Sequence, residues 1–439
     1  MLLIFTPASS PRIEYVFELV FKNELAIDYC LTTDINKFVN WKHEKINYST
    51  SRNGDEFFIK ASSLLNEDFI EKKEITVGEK YHSKVLFPNG ASCDLGFDVF
   101  SGIFYMVSRY EEYLPFTPDE HGRFRAADSL AYQNNFLQDP VVNTWLKILK
   151  NILQDRFPAL KIKQPVFKAI LTYDIDVAFQ FKGRSIYRIM GATARDLLRL
   201  NWRNIFYRLR TLLNLQKDPW DVYDDLAASL FHNKLDSIFF FLVGDRAKND
   251  RNLTYTHPLM ARLVRKILNF SEIGIHPSYT TTAFPEKIAM EKERLEKMSG
   301  KKISKSRQHF LKFNLPGTYN SLIAAGIKED YSMAFPEMPG FRAGTCRPFY
   351  FYDITNEKAT SLKIFPVTLM EGSFINSQIS MDASSRQIFD LINKVKNVQG
   401  TFISIWHNHT VSKTPEYRDW RKMHEKMIGE VLKEPGQHK

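Results

Sequence analysis

The chain has 439 residues, 44% hydrophobic and 25% charged, a balance that belongs to a folded globular protein too long for a single hydrophobic core. That excludes a disordered or fibrous chain, and no stretch approaches the roughly 18 apolar residues of a membrane span. The net charge of +10 would suit nucleic acid, an anionic membrane surface or an anionic substrate, but the excess is local: nine Lys or Arg lie between Lys182 and Lys217 against one acid, Asp196.

The opening MLLIFTPASSPRIEYVF has no basic n-region. Its apolar run ends well short of the roughly 7–15 residues of a secretory h-region, so a cytoplasmic location is expected. Cys30, Cys93 and Cys346 are odd in number, far apart and without metal-ligand spacing, in keeping with a reducing compartment. Residues 1–155 mix short apolar runs with polar turns, the pattern of a smaller α+β domain with a packing role. Helices are expected over FDVFSGIFYMVSRYEEYLPF (97–116) and VVNTWLKILKNILQ (141–154), with DEHGRF (119–124) as a turn between them. His43, His82 and His121 in this half show no ligand spacing. RFPALKIKQP (156–165), with two prolines after a helix, reads as a linker.

A second domain is expected over 166–435, where short β-rich runs alternate with helical segments. The runs are FKAILTYD (167–174), DSIFFFLVGD (236–245), SEIGIH (271–276), KISKSRQH (302–309), EDYSMAF (329–335), LKIFPVTLM (362–370) and GTFISIWH (400–407). Helix candidates between them include PEKIAMEKERLEKM (285–298), LPGTYNSLIAAG (315–326) and SSRQIFDLINKVK (384–396). This alternation implies parallel strands with helical crossovers, and seven strands suggest an α/β fold of the distorted (β/α)7 barrel type, whose chemistry sits at the C-terminal strand ends. Between the first two strands lies a long insertion. Its core, 184–215, is basic, aromatic and apolar at helical spacing. It reads either as a hairpin covering the barrel or as peripheral contact with an anionic membrane. No helix-turn-helix, zinc-finger or RNA-binding signature accompanies it, so nucleic acid is not an expected partner.

The strand ends gather polar residues. The first closes on Thr172-Tyr173-Asp174-Ile175-Asp176, the third on His276, the fourth on Arg307-Gln308-His309, and the last on His407-Asn408-His409. Asp174 and Asp176 are either one metal ligand and one general base or a pair of turn-capping carboxylates. His276, followed by Pro277, is a candidate metal ligand. Arg307 and His309 share a face if their strand continues, as do His407 and His409. His257 reads as a surface or cap histidine. The loop GFRAGTCRPF (340–349) offers Arg342 as a sugar contact or as a rival to orient the base, and Trp406 is a second candidate contact.

These motifs resemble those of the NodB-type polysaccharide deacetylases, the family 4 carbohydrate esterases, over roughly 270 residues. The resemblance implies Asp174 as general base, Asp176 and His276 as metal ligands, Arg307 orienting the base and His407 as general acid. It implies one divalent metal, Zn²⁺ foremost, and hydrolysis of N-acetyl groups on an amino sugar, polysaccharide or lipid-linked glycan. Two positions depart from the pattern. Thr280 stands where a second histidine is expected, and His309 where a proline is expected. His309, one strand over at the same rim, is the expected replacement ligand. The alternative is a non-catalytic carbohydrate-binding relative that has lost its metal. The N-terminal half resembles an uncharacterised domain found ahead of such deacetylases in Bacteroidetes-type proteins, which implies no function.

Overall fold

A computed structural model describes residues 1–90 and 93–434; the last residue of the expected second domain, 435, lies outside them. The first sheet is four-stranded, β1 (Leu2–Phe5), β2 (Tyr29–Thr32), β3 (Lys45–Ser49) and β4 (Phe57–Lys60), in the order β2-β1-β3-β4. Every pairing in it is parallel. A small antiparallel hairpin follows, β5 (Val77–Lys80) with β6 (Ser83–Leu86). The expected α+β character is therefore confined to that hairpin. The sheet itself is a parallel α/β unit, in keeping with the wholly buried apolar run LLIF of its inner strand β1. The expected first helix is shorter than its run, Val99–Val107, because Arg109 turns to a positive φ of 57° and a single turn, Tyr110–Tyr113, follows; the second forms at Val141–Arg156. The first begins on Asp98, whose carboxylate accepts from the backbone N–H of Phe100 and Ser101, each at 3.1 Å.

The second sheet has nine strands. In chain order they are β7 (Lys168–Ile175), β8 (Asp236–Phe241), β9 (Glu272–Ile275), β10 (Lys305–Ser306), β11 (Glu329–Asp330), β12 (Phe349–Asp353), β13 (Lys358–Ile364), β14 (Leu369–Met370) and β15 (Thr401–His407). Their spatial order is β12-β13-β11-β10-β9-β8-β7-β15-β14, all parallel except the edge pair β12–β13. All seven expected strands are present, but the barrel is not closed by hydrogen bonds. The expected sixth strand is two, β13 and β14, at opposite sides of the sheet. Pro366 between them has no N–H to offer a ladder.

The sheet is nevertheless strongly curled. Laid flat at about 4.8 Å per strand, β13 and β14 would lie about 34 Å apart. The link Phe365–Thr368 can bridge at most about 18 Å from Ile364 to Leu369. Two backbone bonds seat that link: Val367 N–H donates to Met333 C=O (3.0 Å) and Thr368 N–H to Ile403 C=O (2.9 Å). Strand alternation then separates two cores. Ile238, Phe240, Ile403 and Ile405 fill the inside of the curl with Leu311, Tyr331 and Val367. Their neighbours Phe239, Phe241, Phe402 and Trp406 face the outer helices in the main core. That main core is continuous with the N-terminal sheet. The two halves are also stitched by polar contacts, such as the Tyr15 hydroxyl donating to Tyr350 C=O at 2.7 Å.

Two local readings change. The fourth strand stops at Ser306, so Arg307 and His309 do not share a strand face; His309 opens a one-turn helix, His309–Leu311. The last strand stops at His407, and His409 lies in the turn beyond. His257 caps the helix Pro258–Ile267, its Nδ1 accepting from Leu259 N–H at 3.2 Å.

Candidate metal centre and active site

Parallel strands deliver side chains to one rim, and here β7, β9, β10 and β15 converge there. Asp174, at the inward register of β7, is buried. Its Oδ1 accepts from Arg307 Nη1 at 2.9 Å. Arg307 is itself immobilised. Nη1 also donates to the Thr172 hydroxyl (2.6 Å), Nε donates to Tyr331 C=O (2.9 Å), and the guanidinium lies 4.6 Å from the Phe240 ring centroid. An arginine held this way fixes one carboxylate oxygen and leaves the other, Oδ2, turned toward His276, whose Nε2 is 3.8 Å away.

Two residues on, Asp176 sits among three imidazoles. His276 Nε2 is 3.2 Å from its Oδ1. His309 Nε2 and His407 Nε2 are 3.6 and 3.5 Å from its Oδ2. Each ring is held from behind by an acceptor on Nδ1: Arg307 C=O for His276 (2.6 Å), Asp250 Oδ1 for His309 (2.9 Å) and Glu371 Oε1 for His407 (2.7 Å). Because carbonyls and carboxylates only accept, each Nδ1 carries the proton. In a neutral ring the lone pair is then on Nε2, aimed at the centre. The Gly274 strand position permits this crowding: a Cβ there would sit 2.5 Å from the Phe240 ring.

One atom from each of Asp176, His276 and His309 falls within 4.8 Å of the others, the one such grouping of metal-type ligands among the described residues. The donor set fits a divalent ion. Two imidazole nitrogens and a carboxylate suit Zn²⁺ or a similar cation. Asp176 Oδ1 is buried without a hydrogen-bond donor, a cost that an ion would remove. Thr280 does not take part; its hydroxyl is 3.1 Å from that of Ser278.

The electrostatics separate the histidines. Burial depresses the His309 imidazole, but Asp176 and Asp250 outweigh it and lift it to about 9. Burial opposes charge on His407 too, yet Glu371, Asp176 and Asp174 raise it to about 10. Asp176 is held well below the usual carboxylate range. There His309, His276 and His407 overcome a burial effect in the other direction. His409, by contrast, is pushed down to about 4 by burial and by the neighbouring His407. It packs on Trp220 and Tyr417 and meets the cluster only through the His407 ring, 5.4 Å away.

These groups line a cleft of about 510 Å³. Its walls include Phe310, Leu311, Met370 and Asn376 on the large sheet's side, and Glu120, His121 and Arg123 from the N-terminal half. The DEHGRF turn reaches over the rim: His121 Nδ1 is 3.1 Å from the Tyr279 hydroxyl, and its ring lies 5.0 Å from that of Phe310. Phe310 adopts a positive φ of 62°, unusual for a bulky residue, and remains partly exposed in the cleft.

Two expected contacts are not in the cleft. Arg342 is buried at the junction of the halves, donating through Nε and Nη2 to Glu112 (2.9 and 2.6 Å) and through Nη1 to Ala334 C=O (2.9 Å). Its loop turns through Gly340 at φ 143°, where a Cβ would meet Leu137 C=O at 2.6 Å. The loop thus packs the halves together. Trp406 points to the outer face of β15, buried against His424 at 4.8 Å between rings; the one-residue offset from His407 sends it to the other side. Three contributors were not foreseen from sequence: Glu371, Asp250 and the cleft-facing Phe310. Glu371 ends the β14 run LKIFPVTLM by one residue, a signal of the same kind as the other strand ends. Asp250 lies in an irregular loop and offered none.

A model for a family of unknown function, DUF7033, matches residues 2–158. No curated protein matches. Among solved structures, a Mycobacterium smegmatis protein assigned as a polysaccharide deacetylase aligns at 14% identity, covering 61% of this chain and 87% of that one, with a TM-score of 0.39. The polysaccharide deacetylase Bc1974 from Bacillus cereus aligns at 13% identity, 61% and 86% coverage and a TM-score of 0.29. A Bacillus anthracis family 4 pseudoenzyme, BA3943, aligns at 13% identity, 62% and 68% coverage and a TM-score of 0.26.

Proposed function

We propose that this chain hydrolyses N-acetyl groups from an amino sugar, as a free or lipid-linked glycan or a polysaccharide, with the aid of one divalent metal. The carrying observation is the pairing of an arginine-held carboxylate, Asp174, with a separate ligand cluster of Asp176, His276 and His309 in one cleft. The TYDID run and the strand-end histidines that resemble the polysaccharide deacetylases support the choice of an acetyl group.

Asp176, His276 and His309 would hold the ion. When bound, it would supply Lewis-acid polarisation of a carbonyl and acidify water. Asp174 keeps Oδ2 unclaimed beside the ligand cluster, so it can take a proton from the attacking water while Arg307 holds its other oxygen in place. His407 pairs in register with Asp174 on the neighbouring strand and, with Glu371 behind it and its pKa raised to about 10, favours the protonated form at neutral pH. It can deliver that proton through Nε2 to the departing nitrogen. Phe310 offers an exposed ring on which a pyranose face can stack, and His121 and Arg123, the latter held by Asp119 and Phe310 C=O, form the facing wall.

Metal analysis of protein purified without chelators, paired with acetate release from N-acetylhexosamine oligomers, tests this reading. One equivalent of metal and metal-dependent acetate release is the expected result. Sugar binding without metal or acetate release would instead make the chain a non-catalytic carbohydrate-binding relative.

A further inference from the structure

The insertion between β7 and β8 forms two helices, Ile186–Leu198 and Trp202–Leu212. They pack on each other and are clamped by Arg208, which pairs with the buried Asp196 and donates to the Thr193 hydroxyl at 2.9 Å. Outside that clamp they bury little. Of the 27 exposed large hydrophobic side chains among the described residues, 12 lie within 186–215. Tyr187 is 83% exposed, Leu198 87%, Trp202 62% and Phe206 61%. Soluble surfaces rarely carry apolar groups at such density without a partner. A hairpin that served to cover the barrel would bury these residues, so that reading of the segment does not hold.

The same face is cationic. Of the nine Lys and Arg from Lys182 to Lys217, only Arg208 and Lys217 reach a carboxylate among the described residues. Beside the first helix opens a cleft of about 590 Å³ whose charged lining is entirely basic: Lys182, Arg184, Arg188, Arg246, Lys248 and Arg251. Trp220 is part of its lining and packs on His409 at 5.3 Å between ring centroids, and His409 lies 5.4 Å from His407. Asn408 ties the two rims, donating to Val177 C=O (3.2 Å) and Trp220 C=O (3.3 Å).

We infer that the 186–215 hairpin and the adjoining basic cleft dock the protein on an anionic lipid bilayer, the apolar and aromatic side chains entering the interface and the arginines meeting lipid phosphates. Charge selects this occupant. A second copy would bring the unpaired arginines of two hairpins together, whereas an anionic leaflet complements both the charge and the apolar rings. No helix among the described residues is long and apolar enough to cross a membrane, so the contact is peripheral. The inference concerns membrane contact alone and stands whether or not the proposed hydrolysis does.

The test is co-sedimentation of the full chain with vesicles of phosphatidylcholine, alone or with a third phosphatidylglycerol, at low and high salt. Binding is expected only to the anionic vesicles and should fall with salt, with a blue shift of tryptophan emission on binding. Arg188→Glu/Arg199→Glu/Arg203→Glu should weaken partitioning by about a hundred-fold or more, and Trp202→Ala/Phe206→Ala should weaken it without changing the salt slope. Unaltered circular dichroism would verify that both variants fold, and Asp174→Asn should bind vesicles as the wild type does. Wild type left in the supernatant at low salt, or a charge-reversal variant that binds equally well, would overturn the inference. So would a dimer in sedimentation velocity that Trp202→Ala/Phe206→Ala dissociates, because the face would then belong to a second copy.

Discussion

Two of the buried arginine–carboxylate pairs in this molecule do different work. Arg307 with Asp174 and Arg342 with Glu112 are almost equally inaccessible, and both guanidiniums lie against aromatic rings. Glu112 spends both oxygens, on Arg342 and on Arg109, whose Nε donates to Oε1 at 2.7 Å. Burial works against its charge, but Arg342 and Arg109 prevail and hold it below the usual carboxylate range. Asp174 spends one oxygen on Arg307 and leaves the other at the cleft beside His276. A buried ion pair is structural when its partners satisfy each other and chemical when one keeps an unclaimed atom facing open space.

The sharpest way to break the comparison is to remove each carboxylate's function in turn. Asp174→Asn should lower acetate release by about 10²–10⁴-fold with metal content unchanged; near-normal turnover would move the base elsewhere. Arg342→Ala should instead cost about 3–5 kcal/mol of stability, by leaving Glu112 buried with a lost partner. Denaturant unfolding would read that loss, and activity per folded molecule should hold. A selective rise in KM without loss of stability would return Arg342 to the substrate.

Glu371→Gln probes the same distinction at His407. Losing the carboxylate behind the ring should lower the imidazole pKa and cut activity about 10–100-fold, with the alkaline limb of the pH–rate profile shifting to lower pH. An unmoved alkaline limb would assign it to another group. Metal binding gives a graded readout. His309 is lifted from 6.5 to about 9 in the metal-free chain, and a ligand must be neutral. Apparent metal affinity should therefore rise about ten-fold per pH unit through neutrality and level off near pH 9, measurable by competition with a chelator. The sign reverses for the metal-free fold. A raised histidine stabilises fully below its unfolded pKa, so that contribution should fade between pH 6.5 and 9. The smallest effect belongs to Phe310→Ala, a rise of about two- to ten-fold in KM with kcat nearly unchanged, as expected for a lost stacking surface. A fall in kcat alone would make the ring structural.

The chain's local pattern was enough to place seven strands and the main helices, because apolar runs and crossover spacing are set by neighbours in sequence. It was enough to mark Asp174, Asp176, His276 and His407 as candidates, which stand at or within one residue of the ends of apolar strands. His309 was named for a reason the structure changes: it reaches the cluster from a one-turn helix after β10 ends, not from a continued strand. What sequence could not decide is which of two similar arginines holds the carboxylate that lines the cleft. That depends on where the 340–347 loop meets Glu112, 230 residues away along the chain. Nor could it decide that Trp406 turns outward, that Glu371 and Asp250 stand behind two imidazoles, or that His121 crosses from the N-terminal half. Strand ends are a local property. The partners that fix a side chain's protonation and aim are contacts distant in sequence, which exist only once the sheet has curled and the two halves have packed.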